Sequence, residues 1–238
     1  MLKLSTETCI SVIWDFDGTL VDTSSDVWKS LISAARMCTG EINCEYISDD
    51  TNLAKPIQEI FSQMLINGDA SQLNFFEKEV ASHYRTKNNF DQSFAYEGIR
   101  EILHFFQEQG VPQFVASMKP QQPLKKVIKK LNWEEYFLEV ITPDVLDSKV
   151  LTKEEMIYLI VEKNKLDKKS CYMIGDSASD ILAASKNEIL TIGVTYGDGN
   201  SEELISSNPD TIIDCSQLLK DFFIKGGKSF EGEFRNRN

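Results

Sequence analysis

Apolar residues recur every three or four positions through residues 26–39, 55–66 and 73–84, the spacing of amphipathic helices, and no convincing alternating strand separates these stretches. Ahead of them stands an apolar run, residues 9–14, interrupted only by Ser11, which reads as a strand buried on both faces. From Tyr96 onward the pattern changes. A helix over 99–109, closed by Gly110, leads into a strand over 113–116, a helix over 123–131, a strand near 138–141 and a helix over 152–164. A strand over 171–174, a helix over 177–186, a strand over 190–194, a helix over 201–206 and a short strand over 211–213 follow. Such alternation predicts an α/β fold whose largely parallel sheet is covered on both faces and joined by right-handed crossovers. The core then comprises residues 1–22 and 94–225, and residues 23–93 form a helical insertion over the end of the first strand. A compact crossover seldom needs three successive helices, which is why these are read as an insertion rather than as sheet-covering layers. Residues 226–238 are Gly-rich, charged and nearly free of aliphatic side chains, so they are expected to fray as a flexible tail.

At 238 residues the chain can bury a substantial core, and its 25 basic and 37 acidic residues give a net charge of −12. That balance disfavours nucleic-acid binding, which needs clusters of Lys and Arg. It also means that a site for a small anion must generate its own local positive potential, from a divalent cation and at least one Lys. Five cysteines form no C-x-x-C pair, so a disulfide framework is not expected. No signal-like start and no bilayer-length apolar run are visible, which predicts a cytoplasmic protein without a membrane partner.

Candidate chemistry begins at Asp15-Phe16-Asp17-Gly18-Thr19-Leu20-Val21-Asp22, where two carboxylates two residues apart emerge as the first strand ends. In an open α/β sheet, ligands bind beyond the carboxyl ends of strands, and a pair placed there can aim both acids at one reacting centre or metal. Turn formation alone accounts for an isolated Asp-x-Asp-Gly about as well. An EF-hand loop does not fit, because Leu20 stands where its Gly belongs and Asp26 where its closing Glu belongs. A second acidic pair, Asp176 and Asp180, follows the strand over 171–174 at the start of a helix. Helix capping explains one such motif but not acids recurring at two strand ends. Ser117 ends the strand over 113–116, a place where Ser is more often a cap or turn residue. Lys149 and Lys153 both precede the second acidic pair, and either could be a solvated helix charge. His83 and His104 have no partner constellation and are read as structural.

The octet at Asp15 closely resembles the first motif of the haloacid dehalogenase superfamily of phosphohydrolases. Val115-Ala116-Ser117-Met118-Lys119-Pro120 is similar to its second motif, Lys153-Glu154-Glu155-Met156-Ile157 to its lysine motif, and Gly175-Asp176-Ser177-Ala178-Ser179-Asp180 to its fourth. The resemblance covers roughly residues 9–220 and is best with the phosphoglycolate phosphatase-like group, whose α-helical cap domain lies between the first and second motifs. It implies a HAD-like core and a Mg²⁺-dependent phosphatase acting on a small phosphorylated metabolite. Asp15 would be the nucleophile, Asp17 the general acid and base, and Ser117 and Lys153 the groups that hold the phosphoryl. Metal ligands would be Asp15, the backbone carbonyl of Asp17, Asp176 and Asp180. Thr19, Lys55, Arg85, Met118 and Lys119 are candidates for touching substrate. An Asp at position 17 favours phosphoryl transfer over carbon–halogen cleavage, since the superfamily's dehalogenases lack it. The chain departs from the pattern at Ala54, Glu97 and Met118, where many relatives carry Gly, Pro, and Asn or Ser, so the resemblance does not name the substrate. A phosphosugar mutase, nucleotidase or pyrophosphatase would use the same core, and a non-enzymatic binding protein could keep it. Monomer and homodimer are equally open.

Overall fold

The structure is a computed structural model that describes residues 10–146 and 148–226. In chain order the strands are β1 (Ser11–Trp14), β2 (Val21–Asp22), β3 (Glu41–Ile42), β4 (Leu65–Ile66), β5 (Phe94–Ala95), β6 (Gln113–Ala116), β7 (Glu139–Ile141), β8 (Cys171–Gly175), β9 (Leu190–Val194) and β10 (Thr211–Ile213). The helices are α1 (Ser24–Ala35), α2 (Ile57–Met64), α3 (Leu73–Ser82), α4 (Ile99–Glu108), α5 (Gln121–Leu131), α6 (Lys153–Asn164), α7 (Ala178–Lys186), α8 (Ser201–Ser206) and α9 (Ser216–Ile224). Six strands form one parallel sheet in the order β10-β9-β8-β1-β6-β7.

Alternate residues of the strands feed two cores, because successive side chains point to opposite faces. Val12, Trp14, Val115, Ile174 and Ile192 pack with Ile102 and Phe106 of α4 and with Leu219, Phe222 and Phe223 of α9. Ile13, Phe114, Ala116, Cys171 and Met173 pack on the other face with Met156, Ile157 and Ile160 of α6 and Ala184 of α7. Every residue of β1 is buried, as expected of a central parallel strand. The chain runs outward from β1 through β6 and β7, then returns to β8 on the other side of β1. That reversal opens a crevice at the carboxyl end of β1, where such sheets bind ligands.

Helices α1, α2 and α3 gather a third cluster of their own around Trp28, Leu31, Phe61, Met64 and Phe76. The chain leaves the sheet and returns to it through an antiparallel ribbon of β2 with β5, and a second ribbon joins β3 to β4. Neither ribbon was expected. Each strand has two residues, too few for any alternation to show. Helix α2 begins at Ile57 rather than at 55, since Pro56 caps it and the residue before a proline is pushed to extended backbone, as Lys55 is at ψ 155°. Helix α3 continues into a π-helical turn, His83–Lys87, a distortion that often marks functional sites. Helix α9 was also missed. The expected fraying of residues 226–238 falls, apart from Gly226, outside the described residues, as does Cys9. Cys38, Cys44, Cys171 and Cys215 are free thiols, and no helix among the described residues is long and apolar enough to cross a membrane.

Candidate active site

Asp15 leaves the end of β1 with its backbone N–H held by Ile174 O of β8 at 2.8 Å, which fixes the carboxylate over the crevice. Lys153, at the first turn of α6, places Nζ 2.7 Å from Asp15 Oδ1, 2.9 Å from Ala116 O and 2.8 Å from Asp180 Oδ1. The position of that lysine depends on a capping box, in which Thr152 accepts from the Glu155 N–H and the Glu155 carboxylate accepts from the Thr152 N–H. Lys149 instead lies in solvent, 57% exposed and paired with the same Glu155. Asp176 directly follows β8, and Asp180 sits in the first turn of α7. Asp180 divides its oxygens: Oδ2 accepts from Ser177 Oγ at 2.6 Å as the helix cap, whereas buried Oδ1 faces Lys153 without hydrogen-bond geometry. The capping role and the ligand role are therefore compatible in one side chain.

Carboxylate oxygens of Asp15, Asp176 and Asp180 all lie within 4.8 Å of one another. Burial first and Asp180 second push the Asp176 carboxyl up to about 7, against the pull of the Gly199 N–H and the Thr19 hydroxyl. Burial, joined by Asp180, also drives Asp15 well above the usual carboxylate range, and Lys153 only partly opposes it. Burial depresses Lys153, but Asp15 and Asp180 outweigh it and hold the ammonium charged. Three carboxylates against one ammonium leave an excess of buried negative charge, with Asp180 Oδ1 lacking a hydrogen bond. Hard oxygen donors in that number and charge fit Mg²⁺.

Carboxyls whose folded-state pKa is raised stabilise the metal-free fold at low pH, and that stability is lost as pH rises through about 7. In EDTA, the melting temperature should fall by several degrees between pH 5 and pH 8, and Mg²⁺ should raise it far more at pH 8. A pH-independent melting temperature, unmoved by Mg²⁺, would show that these acids do not form a cation site.

Backbone approach at the site is close enough to demand glycine. Gly18 has φ +76°, and a Cβ there would lie 2.0 Å from Asp176 Oδ2. Gly18→Ala should therefore displace Asp176 and weaken Mg²⁺ binding about tenfold or more, as read by calorimetry.

The profile of the family described as haloacid dehalogenase-like hydrolase matches residues 12–194. The chain belongs to that family. Among curated relatives of these hydrolases, a phosphoglycolate phosphatase of Photobacterium profundum is 28% identical over 87% of this chain and 93% of its own length. A 5′-nucleotidase of Pseudomonas aeruginosa is 27% identical over 84% of this chain and 88% of its own. A solved structure from Clostridium acetobutylicum, described as a predicted phosphatase, superposes with a TM-score of 0.75 at 26% identity, covering 92% of this chain and all 100% of that one.

In this hydrolase the structure gathers Asp15, Lys153, Asp176 and Asp180, with Asp17 and Lys119 beside them. Asp17 Oδ1 accepts from Thr23 Oγ1 at 2.7 Å and from Lys119 Nζ at 2.9 Å. Ser117 is buried at the end of β6, its N–H bonded to Ile141 O at 3.2 Å. Lys119 is no solvated loop residue: its side chain is fully buried, hydrogen-bonded to Tyr84 Oη and 5.0 Å from that ring's centre. Burial lowers its affinity for a proton, yet Asp17 and Tyr84 hold its ammonium above the ordinary lysine value.

Two substrate candidates are engaged with acids of the chain itself. Thr19 is wholly buried and donates to Asp176 Oδ1 at 3.2 Å, so it positions a carboxylate and does not reach substrate. Arg85 Nη1 pairs with Asp144 Oδ2 at 2.8 Å, tying the π-helical turn to the loop after β7, and Arg85 does not line the cavity beside Asp17. Lys55 and Met118 line the cavity beside Asp17, although Lys55 is half exposed and paired with Glu59 at 3.3 Å. Tyr84 and Thr23 were missed. Neither belongs to a motif, and only Tyr84's place in the helical spacing of residues 73–84 could have drawn notice. His83 contacts Ser30 Oγ at 3.0 Å and His104 lies on the surface near Glu108, both outside the crevice.

Proposed function

We propose that this hydrolase is a Mg²⁺-dependent phosphatase that releases phosphate from a small phosphomonoester through an aspartyl-phosphate on Asp15. The observation that carries this is the buried Lys153 touching Asp15 at 2.7 Å while Asp17 stands two residues away at the mouth of the cavity. In the first step Asp15 Oδ attacks phosphorus, the ester P–O bond breaks, and Asp17 gives its proton to the departing oxygen. In the second, Asp17 takes a proton from water, whose oxygen attacks phosphorus and breaks the bond to Asp15. Lys153 and the Ser117 hydroxyl hold phosphoryl oxygens, an ammonium being a compact charge that can meet both anions at once. Asp15, Asp176, Asp180 and the Asp17 carbonyl would hold Mg²⁺, which when bound supplies positive charge against the phosphoryl oxygens.

The helical segment over 23–93 is read as a cap that excludes bulk water during this chemistry. The relatives named for phosphoglycolate and for 5′-nucleotides support a small phosphorylated metabolite as partner, and the net charge of −12 favours neither nucleic acid nor an anionic membrane surface in a protein we place in the cytoplasm. The test is p-nitrophenyl phosphate with and without Mg²⁺, followed by a borohydride quench. A trapped acyl phosphate is reduced to an alcohol, and mass spectrometry should find that change at Asp15. Dependence on an added bisphosphate would indicate a mutase instead, and absence of metal-dependent turnover would end the enzyme proposal.

Tyr84 gives a finer check. Burial pushes its hydroxyl up to about 12, so it stays neutral and accepts from Lys119 rather than competing for Asp17. Tyr84→Phe keeps the ring against Phe90 but frees the ammonium. We expect kcat/KM to fall by about tenfold with an unchanged melting temperature. An unaltered kcat/KM would show that Lys119 needs no such tether.

A further inference from the structure

We propose that the alcohol this enzyme releases is uncharged and largely apolar, an inference that rests on the phosphatase reading and narrows it to a substrate class. Asp17, the group that would protonate the leaving oxygen, forms one wall of a cavity of about 410 Å³ between the sheet and the helical segment. Asp15 is not part of that wall. The phosphoryl group therefore sits at Asp15, and the body of the ester extends past Asp17 into the cavity.

The facing wall is apolar. Val27 and Leu31 of α1, Ile57 and Ile60 of α2 and Val80 of α3 line it. Leu31 and Ile60 belong to the buried part of the helical segment's own hydrophobic cluster, and Val27, Ile57 and Val80 are its partly buried edge. The polar groups around the cavity are already engaged. Ser30 Oγ donates to Asp26 O and accepts from Asn88, Tyr84 Oη accepts from Lys119, and Lys119 is paired with Asp17. Lys55 pairs with Glu59 and Arg85 with Asp144. Arg85 is thus matched by Asp144 and half-exposed Lys55 by Glu59, while Lys119 is matched by Asp17 until Asp17 takes up the proton it donates. A carboxylate or second phosphate on the leaving group would be stripped of water against Leu, Ile and Val without a counter-charge, a heavy penalty. An apolar body would gain by displacing water from the same surface. The volume falls in the range of pockets that enclose small organic ligands, and a two-carbon acid would leave most of it unfilled.

Benzyl phosphate and phosphoglycolate make the decisive comparison, because both are esters of primary alcohols and differ little in leaving-group basicity. Acetyl phosphate, which presents almost no body to the cavity, reports on the core chemistry alone. With the full chain and Mg²⁺, kcat/KM should favour benzyl phosphate over phosphoglycolate by about a hundredfold. Val80→Lys, which puts a cation into the apolar wall, should cut that preference by about tenfold or more. Turnover of acetyl phosphate together with an equal or greater preference for phosphoglycolate would overturn this inference and leave the phosphatase reading standing. Absence of turnover with the two esters and with acetyl phosphate, an acyl phosphate, would overturn both.

Discussion

Asp15→Asn is expected to remove turnover, with kcat down by about four orders of magnitude, while raising the melting temperature of the metal-free protein. The two effects share one cause. Asp15 is buried beside Asp176 and Asp180, and burial and repulsion push its carboxyl far above the usual range even though Lys153 touches it. Holding an ionised carboxylate there costs folding stability at neutral pH, and a neutral amide of the same shape removes the cost. The amide cannot attack phosphorus, so activity is lost. Phosphate release measured alongside thermal melts in EDTA at pH 8 checks both halves. Residual turnover within about tenfold of the parent would remove Asp15 from the role of nucleophile. A melting temperature below the parent's would instead show that Asp15 contributes mainly as the anchor of Lys153.

What the sequence revealed about this site depended on how local each signal was. Asp15, Asp17, Asp176 and Asp180 lie at the carboxyl ends of two strands whose apolar runs are unmistakable, so their convergence followed once the sheet was parallel. Strands β6, β9 and β10 were placed to the residue for the same reason. In the sequence Lys153 is preferred to Lys149 only through its motif resemblance, and the physical difference lies in the Thr152 capping box at the start of α6, with Lys149 left in water. Arg85 and Lys119 were both plausible anion binders. Their partners, Asp144 and Asp17, stand 59 and 102 residues away, beyond any periodicity argument. The paired apolar residues Leu218, Leu219, Phe222 and Phe223 of helix α9 needed the neighbouring α4 and β8 to give them a face to cover. Tyr84 sits on a π-helical turn, where the register of the preceding helix no longer predicts which way a side chain points.

Lys153→Met should also abolish most activity, with kcat down by about three orders of magnitude, yet its effect on stability should be opposite to that of Asp15→Asn. Removing the ammonium leaves Asp15 and Asp180 without their shared cation at 2.7 and 2.8 Å. Stripping one partner from a buried ion pair typically costs about 3–5 kcal/mol. The remaining acids can escape part of that penalty by binding protons, so the loss should be small at pH 5 and large at pH 8. Mg²⁺ can replace the missing charge, and it should therefore recover more of the melting temperature in the variant than in the parent. Lys149→Met serves as the control, because that side chain is solvent-exposed and should change kcat by less than about twofold. Equal losses in the two variants would mean that proximity to Asp15 is not what matters. A Lys153→Met protein that melts like the parent at pH 8 in EDTA would contradict the charge balance from which the whole site has been argued.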